Sequence, residues 1–161
     1  MILNKKNYDK EQSEGLRLEV FIDLFNKKYH TDYEIGPVEI QNSIVDRKAI
    51  SSSKKWKELK IQLKDVKEFD IRPFTKNIMS EGSRVFDLNI FRLLTPFLKK
   101  IEDDYGTSAD GVILVLDVGV SETWLKDFEV PEIVKKMNFD GIYCFSSLIQ
   151  NFIFPLKEIN L

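Results

Sequence analysis

At 161 residues and a net charge of −2, with 43% hydrophobic and 31% charged residues, the chain has the composition of one ordinary globular domain and is too apolar for a disordered segment. Its longest aliphatic run, Val112 to Leu116, falls far short of the roughly 18 residues that cross a bilayer, and Met1 to Tyr8 turns polar without a secretory signal pattern. No membrane partner and a cytoplasmic location are therefore expected.

Between Asp9 and Lys28, the apolar residues Leu16, Leu18, Phe21, Ile22, Leu24 and Phe25 recur at three- and four-residue spacing, which predicts an amphipathic helix. Three extended segments follow: Asp32 to Ile35, Val38 to Ala49 with a break near Asn42-Ser43, and Trp56 to Val66 after the turn-like Ser51-Ser52-Ser53. Arg84 to Ile101 predicts the main core helix, kinked or restarted at Pro96. Asp110-Gly111 and Asp140-Gly141 introduce the apolar strands Val112 to Val118 and Ile142 to Phe145, with a short helix opened by Pro131 between them and a last strand in Gln150 to Leu156. The whole chain, 1–161, reads as a single α/β domain.

Missing residues exclude several mechanisms. His30 is the only histidine, so His-rich metal sites are ruled out; it is expected at the surface, with no Gly-x-Ser-x-Gly elbow for it to serve. No Gly-rich phosphate cradle occurs. Cys144, the single cysteine, lies in an apolar run and is expected to be a buried thiol. Asp117 ends a strand without the second aspartate of a phosphatase-type loop, and is expected to be structural.

The middle of the chain carries more chemistry. Asp46 is separated by fifteen residues from Gln62-Leu63-Lys64, at the far end of the alternating segment Glu58 to Lys64. Leu59, Ile61 and Leu63 share one face of such a strand, so Gln62 and Lys64 point together from the other, their Cα atoms about 6.6 Å apart. An oxygen ligand and an ammonium group placed this way can converge on a metal-bound water beside a phosphate, with Asp46 reaching the same point from the adjacent strand.

In these residues the chain resembles the PD-(D/E)XK nuclease superfamily, in the variant where glutamine replaces the acid of the third motif. The resemblance implies a restriction-endonuclease-like αβββαβ core, a mixed sheet flanked by helices, from about Leu16 to Val118, followed by a C-terminal extension. It implies Glu19 as the helical acid, Asp46 as the central metal ligand, Gln62 as an oxygen ligand and Lys64 as the residue that helps form the attacking hydroxide. A Mg²⁺ or Mn²⁺ ion would serve hydrolysis of nucleic acid, DNA above all. Cleavage of both strands of a duplex would favour a homodimer. Asp46-Arg47-Lys48 and Glu58-Leu59-Lys60 also fit an acid-x-lysine pattern, but neither lies at the far end of an alternating strand.

From Asp46 to Lys67 there are eight basic and three acidic residues, a local net of +5 against −2 for the whole chain. That concentration suits phosphate binding, with Lys48, Lys54, Lys55 and Lys57 as candidate nucleic-acid contacts and Trp56 placed to stack or to pack. Two alternatives stay open: a nuclease-like fold without catalysis that binds nucleic acid or protein, and an unrelated α/β interaction protein whose polar strand face is ordinary surface.

Overall fold

A computed structural model describes residues 5–38, 44–66, 90–118, 130–148 and 152–161. The element order is α1 (Lys5–Tyr29), β1 (Tyr33–Val38), β2 (Arg47–Ser51), β3 (Leu59–Asp65), α2 (Ile90–Tyr105), β4 (Val112–Asp117), β5 (Gly141–Phe145) and β6 (Ile153–Lys157). Short 3₁₀ turns at Gly106–Ala109 and Glu132–Lys136 lead towards β4 and β5; the second stands where a short helix is expected after Pro131.

All six strands form one mixed sheet in chain order. β1, β2 and β3 make an antiparallel meander, β4 and β5 continue parallel to β3, and β6 closes antiparallel. Side chains alternate across this sheet, and the alternation sorts them into two cores. Ile113 and Val115 of β4 join Leu59, Ile61 and Leu63 of β3 under Leu18, Phe21, Ile22 and Phe25 of α1. Val112, Leu114 and Leu116 instead meet Leu94, Phe97, Leu98 and Ile101 of α2. Among the described residues α1 therefore covers one face and α2 the other. Strands buried on both faces read as continuous apolar runs, which is why β4 is Val-Ile-Leu-Val-Leu before its aspartate.

β5 and β6 belong to the same sheet. Tyr143 and Phe145 pack with Phe21 and Phe25 of α1, and Tyr29 hydroxyl meets both Tyr143 hydroxyl and Glu158 Oε1 at 2.9 Å. The two Asp-Gly turns brace each other: Gly111 takes φ 78°, its N–H donates to Asp140 Oδ1 at 3.1 Å, and Asp140 N–H donates to Val112 O at 2.9 Å.

The helix over Pro96 departs from expectation. α2 runs unbroken through Pro96, an exposed residue whose neighbours Phe97 and Leu98 are buried, so packing of the next turn outweighs the lost hydrogen bond. Positions 39–43 and 84–89, parts of the expected second strand and core helix, lie outside the described residues. His30 is exposed at φ 55°, ending α1, and Cys144 is buried. No helix among the described residues is long and apolar enough to cross a membrane.

Candidate functional site

The site grows from a mismatch in strand length. Among the described residues β2 pairs with β3 only as far as Arg47 opposite Ile61, so the last residues of β3 run past it. The chain just before β2 still reaches over: Asp46 N–H donates to Ile61 O at 2.8 Å. Asp46 Oδ2 then accepts the Leu63 N–H at 2.8 Å, supplying the partner that the ladder no longer provides. Leu63 lies between Gln62 and Lys64 in the strand, so this bond anchors the Asp46 carboxylate at the stretch of β3 that carries both, although of the three only Lys64 lines the cleft described next.

Their environments differ. Gln62 is opposite Leu114 in the register, within the α2 layer, and only 3% exposed. Alternation places Gln62 and Lys64 on the same face, but α2 covers the part of that face to which Gln62 points. The Gln62 Oε1 is buried without a hydrogen-bond partner, an arrangement that ordinarily costs about 1–3 kcal/mol. Lys64 is half-buried; its Nζ donates to Tyr105 hydroxyl at 3.2 Å and lies 5.1 Å from the centre of that ring, so the C-terminus of α2 holds its ammonium in place.

Beside the end of β3, between α1 and α2, opens a cleft of about 660 Å³. Ser13, Glu14 and Arg17 of α1 line one side, Leu63, Lys64 and Asp65 of β3 the floor, and Phe97, Lys100, Ile101, Asp104 and Tyr105 of α2 the other side. Glu19 is absent from this wall and exposed. The α1 acid in this wall is Glu14, also 3.8 Å from Arg47 Nε. Five residues on a helix turn through about 140° beyond a full turn, so Glu14 and Glu19 cannot share a direction. Gly15 lies next to this pair, and a Cβ there would stand 3.2 Å from the Arg47 guanidinium.

Behind the cleft is a network that sequence reasoning did not find. Asp65 and Asp117 are register partners at the ends of β3 and β4. Arg17 bridges them, its Nε 3.0 Å from Asp117 Oδ2 and its Nη1 3.6 Å from Asp65 Oδ2. Fully buried Asp117 also accepts Ser147 N–H at 3.0 Å and Ser147 hydroxyl at 2.7 Å. Its structural reading therefore holds. The available signal was that each aspartate closes an apolar strand.

The basic residues sit elsewhere. Lys54, Lys55 and Lys57 are exposed in the β2–β3 turn, before the N-terminal end of β3, whereas Lys64 is near its C-terminal end, five positions or about 17 Å beyond Leu59. Lys48 lies opposite Lys60, with Glu58 3.6 Å from its Nζ. Positive charge is thus offset from the cleft and not gathered around it. Trp56 is half-buried against Tyr33, under the Lys55 ammonium, and packs.

Among the described residues, no three His, Cys, Asp or Glu side chains gather where they could hold a metal ion. The oxygen donors this stretch of β3 offers are the Asp46 carboxylate, bound to the Leu63 N–H, and the buried amide oxygen of Gln62, neither of which lines the cleft. Fold and cleft together define a three-layer mixed α/β domain with a polar site at the end of a parallel strand pair. The chain matches no protein-family model, no curated protein and no solved structure.

Proposed function

We propose that this protein hydrolyses phosphodiester bonds of DNA with a divalent cation, Mg²⁺ or Mn²⁺, held at the end of β3. The observation that carries the reading is the clasp of Asp46 on the Leu63 amide, which anchors a carboxylate at the stretch of β3 that also bears a buried, unpartnered amide oxygen and a held ammonium. The order of elements lends support: helix, three-stranded meander, helix, then a strand parallel to the third is what the nuclease resemblance implies. In this reading Asp46 and Gln62 hold the cation, and Glu14, in place of Glu19, supplies the acid from α1. When bound, the cation acidifies a water and neutralises the scissile phosphate. Lys64, steadied by Tyr105, donates to a phosphate oxygen and orients the attacking water, while Phe97 and Ile101 give the α2 side of the cleft an apolar wall.

The test is cleavage of plasmid and linear duplex DNA by purified protein with Mg²⁺, Mn²⁺ or EDTA. Asp46→Asn retains an acceptor for Leu63 and is expected to lose at least about 100-fold in rate, a loss worth about 2.7 kcal/mol or more of barrier. A second reading, a nuclease-like module that binds without cutting, is favoured by the small number of carboxylates at the site. Folded wild-type protein that binds DNA yet cleaves none of these substrates with Mn²⁺ would establish that reading and remove the first.

A further inference from the structure

We propose that the cleft takes one unpaired strand of DNA, so that a duplex is reached only where its ends fray. This rests on the nucleic-acid reading above and adds the form of the substrate. Width decides it. α1 packs on one face of the sheet and α2 on the other, and the cleft opens between them where β3 ends. Packed layers lie about 10 Å apart, which sets the two helix axes about 20 Å from each other across the sheet. Helices about 10–12 Å across with their side chains then leave a gap of about 8–10 Å. A duplex, whose major groove alone is about 12 Å wide, does not enter such a gap. A single strand does, and the cleft volume of about 660 Å³ is that of a site enclosing a small ligand.

The lining suits a nucleotide of such a strand. Leu63, Phe97 and Ile101 give the walls apolar carbon for the base. Lys64 supplies the phosphate contact: its ammonium is held by the neutral hydroxyl and ring of Tyr105 and, among the described residues, by no carboxylate. Neighbouring charges are instead engaged within the protein. Arg17 lies between Asp65 and Asp117, and Glu14 is 3.8 Å from Arg47 Nε. A half-buried ammonium without a counter-ion attracts a phosphate more strongly than an exposed one, because less water screens it. One such cation in a narrow cleft fixes one phosphate, whereas a binder of duplex spreads many contacts along an open face.

Equilibrium binding in EDTA compares a strand of about twelve nucleotides with the duplex it forms with its complement, a length within the roughly 4–16 nucleotides that one single-strand-binding fold covers. The strand is expected to bind at least about tenfold tighter. Ser13 is exposed on the α1 wall, so Ser13→Trp narrows the cleft without entering the core and is expected to weaken strand binding about tenfold. Leu16→Trp, at an exposed position of the same helix outside the cleft wall, is expected to change it less than about twofold. Lys64→Gln is expected to reduce the slope of log K against log salt by about 0.7, one phosphate contact of a single strand. With Mn²⁺, the expected order of cleavage is strand, then linear duplex, with covalently closed plasmid uncut. Duplex bound as tightly as the strand, equal losses in the two tryptophan variants, or an unchanged salt slope in Lys64→Gln would overturn the inference. So would absence of strand binding by wild type, or thymidine monophosphate binding as tightly as the strand, which would make the cleft a pocket for a free nucleotide. Closed plasmid cut as fast as the strand would leave the hydrolase standing without the inference. Strand-selective binding with no Mn²⁺-dependent cleavage would do the reverse.

Discussion

Gln62 concentrates the chemistry of the site into one side chain. Its amide oxygen has no partner in the folded chain, so removing that oxygen sacrifices no hydrogen bond. Gln62→Met is expected to stabilise the protein by about 1–3 kcal/mol, the cost of the stranded oxygen, while abolishing divalent-ion binding measured by Mn²⁺ titration calorimetry. Gln62→Glu is the opposite case. It buries a carboxylate under α2, which is expected to destabilise the metal-free protein by about 2–4 kcal/mol in urea unfolding, with Mn²⁺ restoring much of the loss. Equal destabilisation with and without Mn²⁺ would count against a cation at this position. Asp46 has a structural duty as well as a chemical one: Asp46→Ala leaves the Leu63 N–H without its acceptor and is expected to cost about 1–2 kcal/mol, whereas Asp46→Asn should not. Cys144 is different again, inert because it is buried. Burial alone pushes its thiol up to about 12 from an ordinary 9.0. The unfolded chain releases this proton first, so the stability the thiol contributes is full below its ordinary value and declines as pH rises towards about 12. The stability difference between wild type and Cys144→Ala should therefore narrow above pH 9, and a thiol reagent at pH 8 should label only unfolded protein.

At the scale of elements, α2 shows a local rule giving way to packing. Pro96 is the seventh of sixteen residues in the helix and deprives the Arg92 carbonyl of its usual donor, yet the helix continues and buries Phe97, Leu98 and Ile101. Because Pro96 is exposed, replacing it forfeits no core contact. Pro96→Ala is expected to stabilise the protein by about 1–3 kcal/mol, read as a raised urea midpoint at constant m-value. A neutral or destabilising result would mean that the proline ring carries a packing role. β3 is the complementary case, where local pattern and tertiary outcome agree. Leu59, Ile61 and Leu63 alternate in the sequence and are all buried beneath α1. The accessibility of the other face was not encoded in that alternation, since it depends on how far α2 extends over it. The same limit applies to α1, whose periodicity shows that Glu14 and Glu19 are polar positions but cannot say which lies beside β3.

Over the whole molecule, the Arg17–Asp65–Asp117–Ser147 network joins α1, β3, β4 and the end of β5 directly behind the cleft. Asp117 is fully buried, so Asp117→Ala strands the Arg17 guanidinium and is expected to cost about 3–5 kcal/mol in urea unfolding. A loss below about 1 kcal/mol would show that water can replace the carboxylate. The amino-acid sequence by itself determined the α/β class, the faces of α1 and β3, the buried thiol and the turn chemistry of Asp110-Gly111 and Asp140-Gly141. These follow from periodicities and backbone preferences that act within a few residues. Only the tertiary structure decided that β3 outruns β2, that Asp46 serves Leu63, that Gln62 is buried while Lys64 is held by Tyr105, and that the lysines lie towards the far end of the strand. Each of these depends on where one element stops relative to another distant in the chain, a length and register relation that no local pattern records.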